Sequence, residues 1–161
     1  MQKIQSRGYL IFVSSIVLFL LAACIRPDGA QQPAAAQTDL QAAQQRWQAQ
    51  QIVSYSYGLA VSCFCPEDIR QPVVVTVNNG ATTSIVKAEG GDPATAEFFA
   101  EYNTVEKLFA LIQKAIDEKA DGITVTYDPT LGYPTDIKVD TSFQAADEEI
   151  YLTMSDLQAA K

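Results

Sequence analysis

The sequence predicts an α+β fold: two helix-then-three-strand units forming an antiparallel sheet, with helices packed on one face. Three observations predict it. Apolar residues recur at helical spacing in two separated stretches, residues 40–47 and 105–116. After each stretch the apolar period switches to two, the period of a strand with one buried face. Between two such runs stands Asn79-Gly80, the preferred pair for a two-residue type I′ turn, which makes neighbouring strands antiparallel.

In chain order, Asp39 is placed to cap a first helix running to Gln50, with Leu40, Ala43 and Trp47 on one narrow apolar stripe. Trp47 reads as the core anchor of that helix; the sharper alternative is a surface-binding tryptophan. Residues 54–65 form a long strand in which Tyr55, Tyr57, Leu59, Val61, Cys63 and Cys65 share a face, and Pro66 stops it. Residues 71–78 and 82–87 flank the Asn79-Gly80 turn as a hairpin, and Gly90-Gly91-Asp92-Pro93 closes the unit in a loop. Asn103 opens a second helix, with Glu106 three residues later as its capping-box partner. Val105, Leu108, Phe109, Ile112 and Ile116 give this helix its apolar side, Lys119 lies in its last turn, and Gly122 supplies a left-handed stop. Strands follow at 123–127, 135–140 and 149–154. The two halves match in element order, but their residue identity does not establish a duplication.

The N-terminus is organised differently. Lys3 and Arg7 precede an apolar run from Tyr9 to Ala23, the pattern of a secretion signal. Leu21-Ala22-Ala23-Cys24 resembles the bacterial lipobox. The resemblance implies cleavage before Cys24 and attachment of acyl chains, palmitate among them, to that cysteine. The alternative is an uncleaved signal anchor, for which the run is slightly short. Residues 1–23 are then a lipoprotein signal peptide, 24–38 the lipidated cysteine and a flexible Gln/Ala/Pro tether, and 39–161 a single α+β domain. Ile25 after the lipid site is compatible with delivery to an outer membrane if the host has one, and otherwise to the outer face of the plasma membrane.

Charge and composition exclude several functions. The 161 residues carry a formal charge of −8, and removal of Lys3 and Arg7 with the signal makes it −10. Such a surface does not suit nucleic acid. The chain has no histidine, which removes Ser-His-Asp and Cys-His nucleophile activation and histidine-ligated zinc. The expected partners are therefore the membrane, through the N-terminal lipid anchor, and a protein or small molecule of unspecified kind. No cofactor and no metal are expected.

Three places could carry chemistry. With Cys24 lipidated, Cys63 and Cys65 are the remaining cysteines. Residues two apart in a strand lie about 6.6–6.8 Å between Cα atoms, at the top of the range a disulfide tolerates. Three readings stay open: a disulfide, two buried thiols packing as small apolar residues, or a functional pair in redox or Cu(I) chemistry. The segment Tyr127-Asp128-Pro129-Thr130-Leu131-Gly132-Tyr133-Pro134 reads as a well-specified hairpin loop, or as an exposed binding loop with Tyr133 at its tip. Asp136, Asp140, Asp147, Glu148 and Glu149 read as a solvated acidic face and lack the spacing of a calcium loop.

Taken together, Trp47, Tyr55-Ser56-Tyr57, Cys63-Phe64-Cys65-Pro66, Val73 to Gly80, Leu108-Phe109, Tyr127-Asp128, Gly132-Tyr133-Pro134, Asp140 and Asp147-Glu148-Glu149 resemble domain-of-unknown-function family 6174, a group of secreted proteins and lipoproteins. The resemblance covers most of the chain after the tether. It implies an envelope protein with one domain and brings no catalytic residues. The expected function is a lipid-anchored envelope domain that binds or scaffolds and does not catalyse. The alternative is a thiol-based redox or Cu(I)-handling protein using Cys63 and Cys65.

Overall fold

A computed structural model describes residues 31–145 and 148–160. The elements are α1 (Pro33–Gln50), β1 (Tyr55–Cys63), the one-turn α2 (Glu67–Arg70), β2 (Val73–Asn78), β3 (Ala81–Lys87), a 3₁₀ turn (Ala96–Phe99), α3 (Val105–Asp117), β4 (Gly122–Tyr127), β5 (Pro134–Asp140) and β6 (Glu149–Ala159). The strands form one six-stranded sheet in the order β3-β2-β1-β6-β5-β4, every neighbour antiparallel. The first and last strands are thus central partners, and each run of three strands continues outward from that seam.

Alternation puts Tyr55, Tyr57, Leu59 and Val61 of β1 in the core with Val73, Val75 and Val77 of β2, Ile137 and Val139 of β5, and Leu152 and Met154 of β6. The same core takes Leu40, Ala43 and Trp47 from α1 and Leu108, Phe109, Ile112 and Ile116 from α3. Reciprocal side-chain amide bonds between Gln37 and Gln113, at 3.1 and 2.9 Å, tie the two helices at one end. Asn79 and Gly80 both take positive φ (49° and 76°), as a type I′ turn requires.

Several boundaries differ from expectation. Helix α1 starts at Pro33, six residues before Asp39. Proline is pre-organised for the first helical position, and the alanines that follow are the best helix formers. Ala36 is buried and extends the stripe to 36, 40, 43 and 47. Part of the expected tether is therefore docked. Just before the helix, the Gln31 backbone N–H donates to the Ile123 carbonyl (2.9 Å), and its side-chain oxygen accepts from the Val125 N–H (3.0 Å). Asp39 caps nothing and accepts instead from the Gln31 side-chain amide (2.9 Å).

Helix α3 is capped by Thr104, not Asn103: the Thr104 hydroxyl accepts from the Lys107 N–H at 3.2 Å. At its other end the left-handed residue is Lys119 (φ 58°), not Gly122. Gly122 does not take positive φ; it lies under the Phe143 ring, where a Cβ would come within 3.2 Å of that ring. Strand β1 ends at Cys63 and not Cys65, and β6 runs on past Met154 to Ala159. A bulge near Asp156 (φ 51°) shifts the β1–β6 register between Ser56 and Gly58.

Gly132 has φ +87°, and a Cβ on it would lie 2.4 Å from the Ala43 carbonyl of α1. Gly132→Ala is expected to cost about 2–5 kcal/mol, combining left-handed strain with overpacking. Gly80→Ala (φ +76° with open space around it) should cost about 1 kcal/mol from strain alone. Urea unfolding followed by Trp47 fluorescence checks the order; equal costs would show that the close approach to α1 does not constrain the loop.

Candidate functional site

The residues singled out in the sequence fall into two groups at opposite ends of β1. At its C-terminal end Cys63 and Cys65 are joined by a disulfide, their Cα atoms 5.2 Å apart. That separation is shorter than an extended pair allows, and the strand bends at Phe64 and Cys65 to reach it. The bridge leaves Phe64 between the cysteines 85% exposed. Neither sulfur is a free thiolate, so coordination of a soft metal there would first require two-electron reduction.

At the other end of β1 the aromatic residues converge. Trp47 of α1 meets the Tyr55 ring edge-on at 5.4 Å and the Tyr133 ring at 6.4 Å. Tyr133 is buried and is not the tip of an exposed loop. The reason is local and long-range together. Asp128 accepts the Thr130 and Leu131 N–H groups (2.9 and 2.6 Å), and its own N–H donates to the Tyr133 carbonyl (2.8 Å). This tight turn lets Gly132 rest on the α1 backbone, which directs Tyr133 into the core. Tyr127 is half-buried, and burial is the main cause of its raised pKa.

Glu106 binds this cluster to α3. Its carboxylate accepts from the Trp47 indole N–H (3.0 Å) through one oxygen and from the Tyr55 hydroxyl (3.3 Å) through the other. The Tyr55 hydroxyl in turn accepts from the Val105 N–H (2.9 Å), an otherwise unpaired donor of the first helical turn. Tyr57 donates its hydroxyl to the Tyr102 carbonyl (2.9 Å). Glu106 is thus not the side chain of a local cap: its partners lie 51 and 59 residues away, a distance that leaves no signal in the sequence.

Beside this cluster lies an open groove of about 370 Å³ between Gln44, Trp47, Gln48, Val53, Glu106 and Phe109. It shares Gln51, Ile52 and Val53 with a larger concavity of about 660 Å³ that continues over Thr76–Asn78 and Ala159. The groove has an apolar floor and an amide rim, and its one carboxylate is already engaged by structural donors.

The acidic residues do not form one cluster: Asp140 stands opposite Glu149 in the β5–β6 register, whereas Asp136 lies four residues back along β5 opposite Thr153. Asp136 accepts from Thr153, Asp140 from the Ser142 N–H, and Glu149 from the Tyr151 hydroxyl. Among the described residues no group of three or more His, Cys, Asp or Glu could hold a metal ion. Cys24 and Asp147 lie outside the described residues.

The profile of a family of unknown function, DUF6174, matches residues 39–159. The chain belongs to this family. No curated protein and no solved structure matches it. The match begins inside α1 and ends at the last residue of β6, so it takes in α3 and all six strands of the DUF6174 domain.

Two outcomes test the aromatic cluster. Glu106→Ala strands the Trp47 and Tyr55 donors and should cost this DUF6174 domain about 1–3 kcal/mol, with a shift in Trp47 emission; Glu106→Gln, which keeps an acceptor oxygen, should cost less. Equal losses would mean that the carboxylate acts through charge alone.

The second outcome concerns alkaline pH. Burial, then the nearby Tyr55 and Glu106, raise the pKa of Tyr57. The folded state therefore holds that proton more tightly than the unfolded chain, so its stabilisation is complete below the ordinary tyrosine pKa of about 10 and is lost as pH rises beyond it. Urea midpoints should fall steeply above about pH 10, and Tyr57→Phe should flatten that fall. A slope unchanged in the variant would contradict the assignment.

Proposed function

We propose that this DUF6174 protein is a lipid-anchored envelope protein whose single domain binds or scaffolds a partner without catalysis. The observation that carries the reading is Leu21-Ala22-Ala23-Cys24 at the end of an apolar run that follows Lys3 and Arg7. A lipidated Cys24 would stand only seven residues before Gln31, the first described residue, which is bonded to the sheet. Acyl chains, not charge, would hold the protein to the envelope, since the body is strongly acidic. In a two-membrane host this means the outer membrane, and otherwise the outer face of the plasma membrane.

Binding is favoured over catalysis by how the polar groups are used. The Glu106 carboxylate and the Tyr55 and Tyr57 hydroxyls are spent on tying elements together, and both cysteines of the domain are in a disulfide. The groove beside Trp47, at about 370 Å³, falls within the size range of small-ligand sites, about 300–1,000 Å³. We read the architecture as two helix-then-three-strand units sharing one sheet, with α1 and α3 on a common face. The support is that the buried residues of both helices join one cluster with the inward side chains of all six strands.

Cys24→Ser is expected to abolish fatty-acid labelling and move the protein from the membrane fraction to the soluble fraction of the envelope. A variant that stays fully membrane-bound would replace the lipid anchor with an uncleaved apolar anchor. Intact mass of the wild-type protein separates the two directly, by the presence or loss of residues 1–23.

A further inference from the structure

The sheet has two different ends. Register aligns Cys63 of β1 with Ile150 of β6, Ile150 with Val139 of β5, and Val139 with Ile123 of β4. The Gln31 N–H donates to the Ile123 carbonyl, so Gln31 extends this same row beyond β4. The row spans four interstrand spacings, about 19 Å. It is where the described chain begins, at Gln31.

The two most exposed aromatic side chains of the described residues lie at this end. Phe64, 85% exposed, follows Cys63 and is held out by the disulfide. Phe143, 58% exposed, sits over Gly122, one residue beyond Ile123, with its N–H bonded to the Asp121 carboxylate. Phe64 follows β1 and Phe143 packs over β4, and those two strands lie three spacings apart in the sheet, roughly 14 Å. Val53, 56% exposed, and the groove beside it lie past the opposite end of β1.

We infer that this end rests on the bilayer, with the Phe64 and Phe143 side chains inserted into its interface, so that the domain stands on the membrane with its groove facing away. The inference rests on lipidation of Cys24, which places the anchor seven peptide steps from Gln31, at most about 25 Å. A contact made within that reach is intramolecular, so two aromatic side chains suffice where they would not recruit a free protein. Exposed apolar side chains at a membrane-proximal surface gain by leaving water, and aromatic rings suit the headgroup level. The charges nearby choose the lipid. Glu67, Asp68, Asp121, Asp140, Glu148 and Glu149 outnumber Arg70 and Lys119 at this end, so the surface is a zwitterionic one.

The test uses the full lipidated protein reconstituted into phosphatidylcholine vesicles whose acyl chains carry bromine, a contact quencher of tryptophan. Phe64→Trp, Phe143→Trp and Val53→Trp are compared over the buried Trp47 background. The expected result is quenching of the added emission in the Phe64→Trp and Phe143→Trp proteins, none in Val53→Trp, and weaker quenching as anionic lipid is mixed in. Vesicle-bound, lipidated protein with no quenching at either phenylalanine position, or with equal quenching at Val53→Trp, overturns the orientation while leaving the anchor intact. Protein whose intact mass shows no acyl chains overturns the anchor reading and this inference with it.

Discussion

The structure depends on what happens to a few polar groups that burial forces to find partners. Tyr55 and Tyr57 sit side by side on the core face of a central strand, where their rings are wanted and their hydroxyls are costly. The sheet cannot satisfy those hydroxyls, since its own donors and acceptors are taken by the ladder. The start of α3 can, because the first turn of a helix has unpaired N–H groups. Val105 N–H to Tyr55, Tyr55 to Glu106 and Trp47 to Glu106 therefore form one chain of donors and acceptors running through β1, α3 and α1. Each group solves the shortage of the next. Glu106 also lies in the first turn of α3, where a negative side chain suits the helix dipole.

That junction fixes one end of the helix pair, and the Gln37–Gln113 amide exchange fixes the other. Held at both ends, α1 presents the smooth backbone between Ala43 and Trp47 against which the β4–β5 loop closes. Gly132 belongs to this second layer of constraint. Its missing Cβ admits the Ala43 carbonyl, and once the loop is seated Tyr133 has nowhere to point but toward Trp47. The burial of Tyr133 is thus a consequence of where α1 lies, which is itself set by Glu106.

The strands were legible because one buried face imposes a period of two on the residues themselves: Tyr55 to Val61 and Val73 to Val77 announce their inward side without reference to anything distant. Asn79-Gly80 was legible for a similar reason, since few pairs accept positive φ twice. The start of α1 was not. Pro33, Ala34, Ala35 and Ala36 compose a helix start as readily as a linker, and what decides between them is the burial of Ala36. The stop of α3 was misplaced because the left-handed position falls on Lys119, a residue type that rarely takes positive φ, while Gly122 three residues on does not use its conformational freedom. Tyr133 and Glu106 were misread because their partners on α1 and β1 are remote in sequence. The cysteine pair remained open because a strand spacing lies at the edge of disulfide geometry, and only the bend after Cys63 brings the Cα atoms to 5.2 Å.

These constraints also give the domain a direction. Strand β1 is about 27 Å long and central to the sheet, with the Tyr55–Glu106 junction at one end and the Cys63–Cys65 bridge at the other. Near the junction, polar groups are consumed in tying elements together, and the surface beside them is a groove with an apolar floor and neutral amides. Near the bridge, the backbone turns sharply and an aromatic side chain is pushed outward. A bridge across three residues closes too short a loop to add much stability through chain entropy. Its clearer effect is geometric: it fixes the bend after Cys63 and with it the outward position of Phe64. Gln31 joins the sheet in the same row as Cys63, so its position relative to Phe64 is set by the three registers that link β1, β6, β5 and β4. A one-residue slip of β1 against β6 would displace Cys63 from the row of Gln31 and turn the inward side chains of the slipped strand toward solvent in the same step, so the hydrophobic core itself maintains the alignment.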